Sequence, residues 1–140
     1  MLQFKISKEE DNNKVSIKKD IDYPVFSFKH ITTNKKYNIN YFNKARDKAK
    51  AYGALFYIMD VFQNRSWLES MNLDKKNGFE TISYKELKFN PKSFDLARDD
   101  KLLLVVRFKR GDYRMIGMKE DNIFHVFGFD FNYSAYDHGQ

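Results

Sequence analysis

Residues 102–131 read LLLVVRFKRGDYRMIGMKEDNIFHVFGFDF, and this stretch decides the fold class. Its first nine residues are dominated by β-branched and large apolar side chains, and Gly111-Asp112 offers a two-residue hairpin turn. YRMIGM then reads as the return strand, Lys119 to Asn122 as the next turn, and IFHVFGFDF as a third strand. That third strand is apolar on both faces, which predicts a central position in a sheet. The whole stretch predicts a three-stranded antiparallel meander.

Upstream, LQFKI (2–6) and KVSIK (14–18) alternate apolar and polar residues around Glu10-Asp11-Asn12-Asn13, the pattern of a hairpin or a pair of edge strands. VFSFKHI (25–31) predicts a strand with Val25, Ser27, Lys29 and Ile31 on one face and Phe26, Phe28 and His30 on the other. From an N-cap at Asn43, apolar residues at Ala51, Leu55, Ile58, Met59 and Phe62 recur at helical spacing. Ser66-Trp67-Leu68-Glu69 has capping-box spacing and predicts a second short helix ending before Asn77-Gly78. FETISYKELKF (79–89) returns to strand character. Strands, two helices and then a meander is an α+β order, with the helices on one face of a mainly antiparallel sheet. No linker or repeat interrupts it, so residues 1–140 read as one domain, with 1–22 as an N-terminal extension.

The chain has 140 residues, 42% of them hydrophobic, with 14 Phe and 9 Tyr, enough to build one packed core. It contains no cysteine, which excludes disulfides, thiolate metal sites and a thiol nucleophile. No window approaches a membrane span, no membrane partner is expected, and the N-terminus carries charge before any long apolar run, so a cytoplasmic location is expected. A net charge of +6 and a pI near 9.3 favour acidic partners such as nucleic acid, although a solvated basic surface is the plainer alternative.

A turn at Gly111-Asp112 pairs Arg110 with Tyr113, Lys109 with Arg114, Phe108 with Met115 and Arg107 with Ile116. Arg107, Lys109 and Arg114 then share an exposed strand face, while Leu104, Val106, Phe108 and Met115 face the helices. Like charges gathered in this way suit an anion, and Arg110 and Tyr133 join Arg107 and Lys109 as candidate nucleic-acid contacts. The alternative is a solvated face whose cations find acidic partners elsewhere in the chain. The tail FDFNYSAYDHG adds Asp130, Tyr136, Asp137 and His138, able to hydrogen-bond, stack or move protons. His30 and His125 read as packed or hydrogen-bonded strand residues, and three dispersed histidines give no metal-site signal, so neither metal nor cofactor is expected. Tyr52, Phe56, Tyr57, Phe62 and Trp67 could form a stacking platform, but their helical spacing assigns most of them to packing.

The run LLLVVRFKRGDYRMIGMKEDNIFHVFGF, with its Gly111-Asp112-Tyr113-Arg114 turn and a tyrosine-containing end, resembles the C-terminal meander of the RelE/ParE-like toxins over about the last 40 residues. The resemblance implies an mRNA endoribonuclease, free or ribosome-dependent, in which the RNA 2′-hydroxyl attacks its own phosphate and an antitoxin is a partner. Carried over by position, Arg107 is a basic strand residue, Arg114 stabilises the phosphate and Tyr136 is the tail tyrosine, with His138 as a further catalytic candidate. The strand end FGFDFNYS carries aromatic and acidic residues where the family has a further basic one. Two functions are therefore expected: an RNA-directed, toxin-like nuclease, or a non-catalytic module of a phage or mobile element that binds nucleic acid or a protein.

Overall fold

The computed structural model describes residues 23–71, 78–94 and 101–137. The hairpin expected within residues 1–22, and His138, lie outside the described residues. The elements are β1 (Val25–Ser27), α1 (Ala45–Gln63), α2 (Trp67–Met71), β2 (Phe79–Ser83), β3 (Leu102–Phe108), β4 (Tyr113–Glu120) and β5 (Ile123–Asp130), with 3-10 turns at Lys35–Tyr37, Ile39–Tyr41 and Tyr84–Glu86. The strands form one five-stranded sheet in the order β1-β5-β4-β3-β2, antiparallel throughout except for the parallel β1–β5 pair. This is an α+β fold carrying the expected meander. β5 lies inside the sheet, but the central strand is β4.

Local chemistry accounts for most boundaries. α1 buries Ala51, Leu55, Ile58 and Phe62, the i, i+4, i+7, i+11 row of a helix with a single apolar stripe. It starts after Lys44, which makes no side-chain cap, and not from Asn43. The entry point is set by packing instead: Phe42 lies against Phe131 with ring centroids 4.8 Å apart. At α2 the capping box forms in full, with Ser66 N–H donating to Glu69 Oε1 at 2.9 Å and Glu69 N–H to Ser66 Oγ at 3.0 Å. β1 is shorter than VFSFKHI suggests, because the chain turns after Ser27 and Phe28 is exposed. Among the described residues, no helix is long and apolar enough to cross a membrane.

Both faces of the sheet are covered. On one, α1 and α2 pack against Val106, Phe108, Met115, Phe124, Val126 and Phe129. On the other, Tyr84, Leu87 and Phe89 join Tyr37 and the tail residues Ala135 and Tyr136 over Leu103, Val105, Ile116 and Phe127. The second face is therefore not the solvated surface expected from the sequence. A β-bulge separates the two registers of the β4–β5 pair: Gly117 faces Val126 but Ile116 faces Gly128, leaving Phe127 as the extra residue.

Gly128 sits where the second core presses closest on the sheet. A Cβ there would stand 2.6 Å from the Phe89 ring and 2.8 Å from the Tyr37 carbonyl oxygen. Gly53, by contrast, lies in mid-helix with nothing within 4 Å of a Cβ position. Gly128→Ala is expected to destabilise the domain by about 1–3 kcal/mol through overpacking, and Gly53→Ala to stabilise it by about 1 kcal/mol through helix propensity. Urea denaturation of both variants checks the pair, and equal effects would contradict the packing described.

Candidate nucleic-acid interface

The hairpin joining β3 to β4 differs in register from the one expected. Phe108 pairs with Tyr113 and Arg107 with Arg114, so the loop spans Lys109 to Asp112 and not Gly111-Asp112 alone. Lys109 (φ 53°) and Arg110 (φ 57°) occupy left-handed positions and Gly111 follows at φ 89°, with Gly111 N–H bonded to the Phe108 carbonyl at 3.1 Å. Positive φ at both central residues is the mark of a mirror-image turn, formed here inside a four-residue loop and built on lysine and arginine in place of the usual asparagine and glycine. The shift sets Phe108 and Tyr113 edge to face at 5.6 Å. It also moves Lys109 off the strand face and into the turn.

Arg107 and Arg114 do share a face, but it is not exposed. Arg114 is only 8% exposed. Its guanidinium donates through Nη1 to the Gly111 carbonyl at 2.9 Å and lies 4.5 Å from the centre of the Tyr133 ring. Arg107 is ion-paired with Glu80, whose second carboxylate oxygen accepts from the Tyr136 hydroxyl at 2.5 Å. On the far side of Arg114, its strand partner Asp130 is fully buried and accepts backbone N–H groups from Asn132 (3.3 Å), Ser134 (3.0 Å) and Ala135 (3.2 Å). The two arginines, cross-strand neighbours, are thus flanked by Glu80 on one side and Asp130 on the other. Glu80 is an acidic partner of the kind allowed for in the sequence reading, half-buried against Arg107, while Asp130 stands fully buried opposite Arg114 in the strand register.

Of the candidates, Arg107, Arg114, Tyr133 and Tyr136 are brought together, while Lys109 and Arg110 stand apart on the turn. Burial first, and then the bond to Glu80 and its charge, push the Tyr136 hydroxyl well above the ordinary tyrosine value near 10, against an opposing pull from Arg114. A phenol held protonated in this way is a donor and not a general base at neutral pH. His30 is hydrogen-bonded to the Lys92 carbonyl at 2.9 Å, and His125 Nε2 lies 3.1 Å from Glu120 Oε1. Glu80 was missed because nothing in FETIS marks its partner 27 residues away. Asp130 carried a readable signal, since a carboxylate inside an apolar strand needs buried donors.

The exposed cations belong to a different place. Lys109, Arg110 and Asp112 line a cleft of about 650 Å³ whose opposite wall is Ala54 and Tyr57 of α1. Lys109 is held by Asp112 at 3.7 Å and sits over the Tyr113 ring at 5.2 Å. Arg110 is exposed and makes no ion pair among the described residues. Tyr57 is 65% exposed, and Tyr52 and Phe56 are exposed beside it. The assignment of these three rings to packing is therefore corrected: Ala51, Leu55, Ile58 and Phe62 fill the inward stripe, and 52, 56 and 57 fall outside it. Trp67 and Phe62 are buried.

Because the unfolded Tyr136 ionises near pH 10 and the folded one above it, the bond to Glu80 supports stability fully below pH 10 and loses that support as pH rises beyond it. Tyr136→Phe is expected to cost about 1–2 kcal/mol at pH 7 and to lose less stability than the native chain between pH 9 and pH 11. Parallel urea titrations at these pH values test the point, and identical alkaline slopes would refute it.

Comparison with family models, curated proteins and solved structures finds no significant match, so the reading of both clusters rests on their geometry.

Proposed function

We propose that this domain is a non-catalytic RNA-binding module whose contact surface is the cleft between the 109–112 turn and α1. The observation that carries the reading is the placement of Lys109 and Arg110 in consecutive left-handed positions at the lip of that cleft. Each left-handed L-residue costs roughly 1 kcal/mol, and a turn of asparagine and glycine would relieve it. The strained turn therefore holds two cations opposite an exposed aromatic ring: Lys109 is engaged by Asp112 and the Tyr113 ring, while Arg110 makes no ion pair among the described residues. Lys50 adds to the same side, because it lies on the helical row that joins Asp47, close enough to Tyr113 to perturb it, to Ala54 and Tyr57.

Replacing Lys109 by Asn and Arg110 by Gly together is expected to raise stability by roughly 1–2 kcal/mol while weakening RNA binding. Three phosphate contacts give a slope of log affinity against log salt near −2 for single strands, and loss of two should flatten it by about 1.4. Filter binding across a salt series, beside urea denaturation, measures both. A double variant that is more stable yet binds RNA with unchanged affinity and slope would end this reading.

A second reading, the toxin-like endoribonuclease, is favoured by one observation: the tail lies against Arg107 and Arg114, with Tyr136 bonded to Glu80. It requires the layer to open, since Arg114 and Tyr136 are both buried. Induced expression in a host cell tests it. Growth arrest by the native chain, relieved in Arg114→Lys at equal folded yield, would favour catalysis; uninterrupted growth of cells making folded protein would remove it.

A further inference from the structure

We infer that the cleft takes a single-stranded segment, with one unpaired base stacked on Tyr57 and its phosphate held at Arg110. This deepens the RNA-binding reading and rests on it. Tyr57 presents its ring to solvent on a rigid helix, and Ala54, one turn earlier and with a short side chain, leaves depth beside it. The cleft is open to solvent on one side, and its volume of about 650 Å³ leaves room for a nucleotide. In a duplex the faces of the bases are already stacked on one another, so the exposed ring on the α1 wall has no base face to meet. An unpaired base offers one, whatever its identity.

The charges in the cleft fix the orientation. Asp112 lines it and repels phosphate, while also holding Lys109 at 3.7 Å, so the phosphate sits toward Arg110, whose guanidinium has no ion pair among the described residues. A guanidinium can grip a phosphate with two parallel N–H donors. The base is then directed to the α1 wall. Tyr113 does not compete for it, being engaged by Phe42, Phe108 and Phe131.

The test uses the full chain with a fluorescent 12-nucleotide RNA of unstructured sequence, the same RNA annealed to its complement, and a DNA strand of the same sequence, all in one salt. The expected result is tighter binding of the single-stranded RNA than of the duplex, a loss of roughly tenfold or more in Tyr57→Ala, and recovery in Tyr57→Phe, which keeps the stacking face. Tyr57 is exposed, so neither change threatens the fold. Equal affinity for duplex and single strand, or an unchanged Tyr57→Ala, overturns this inference and leaves the RNA reading in place. Tighter binding of the DNA strand keeps the stacking contact and overturns RNA as the ligand. Absence of binding to all three overturns the RNA reading itself.

Discussion

The Asp130 carboxylate is wholly shielded from solvent and accepts three backbone N–H groups from the residues that follow it. A buried carboxylate without partners would cost several kcal/mol, so the chain after β5 must curl back to supply its donors. That curl brings Ala135 and Tyr136 over the second core, where the Ala135 carbonyl accepts from Lys88 N–H at 2.8 Å and the Tyr37 hydroxyl donates to the Ser134 carbonyl at 3.2 Å. It also swings the Tyr136 hydroxyl onto Glu80, which holds Arg107. One carboxylate thus organises the tail, seals a face of the sheet and withdraws two arginines from water.

Asp130 reaches that position only because of the bulge. In an unbroken β4–β5 register, Phe129 would stand opposite Arg114 and Asp130 would point into the core under α1. The extra residue at Phe127 flips the end of the strand, so that Phe129 joins the helix-side core and Asp130 stands beside Arg114. Gly128 completes the device by leaving room for Phe89 and the Tyr37 carbonyl at the point where the strand is distorted.

How much of this could be read in the sequence follows from the range of each interaction. The meander, the α1 stripe and the Ser66–Glu69 capping box are set by neighbours within a few residues, and their patterns predicted them. The hairpin register failed because Gly111-Asp112 looks like a sufficient turn, and only the pairing of Phe108 with Tyr113, together with the two flanking carboxylates, selects the longer loop. Burial of Arg114 could not be read, because it depends on Asp130 and on a tail folded over the sheet. Exposure of Tyr52, Phe56 and Tyr57 was within reach: the four inward positions already filled the buried stripe of α1, and a helix on a sheet has no second one to offer.

The result is a domain whose basic residues have divided their work by burial. Arg107 is ion-paired with Glu80 at the edge of the second core, and Arg114 is buried beside its strand partner Asp130, with its guanidinium on the Gly111 carbonyl and the Tyr133 ring. They are fixed by the stability of the fold, and an anion could reach them only by displacing partners already in place. Lys109 and Arg110 are under the opposite constraint. The turn would be more stable without them, since left-handed backbone suits asparagine and glycine, yet it holds both beside the most accessible tyrosine of α1. Lys109 is engaged by Asp112 and the Tyr113 ring, but Arg110 makes no ion pair among the described residues, and for it interaction with something outside the chain supplies the physical explanation. It is this mismatch, more than the overall charge of +6, that directs attention to the cleft and away from the strand face.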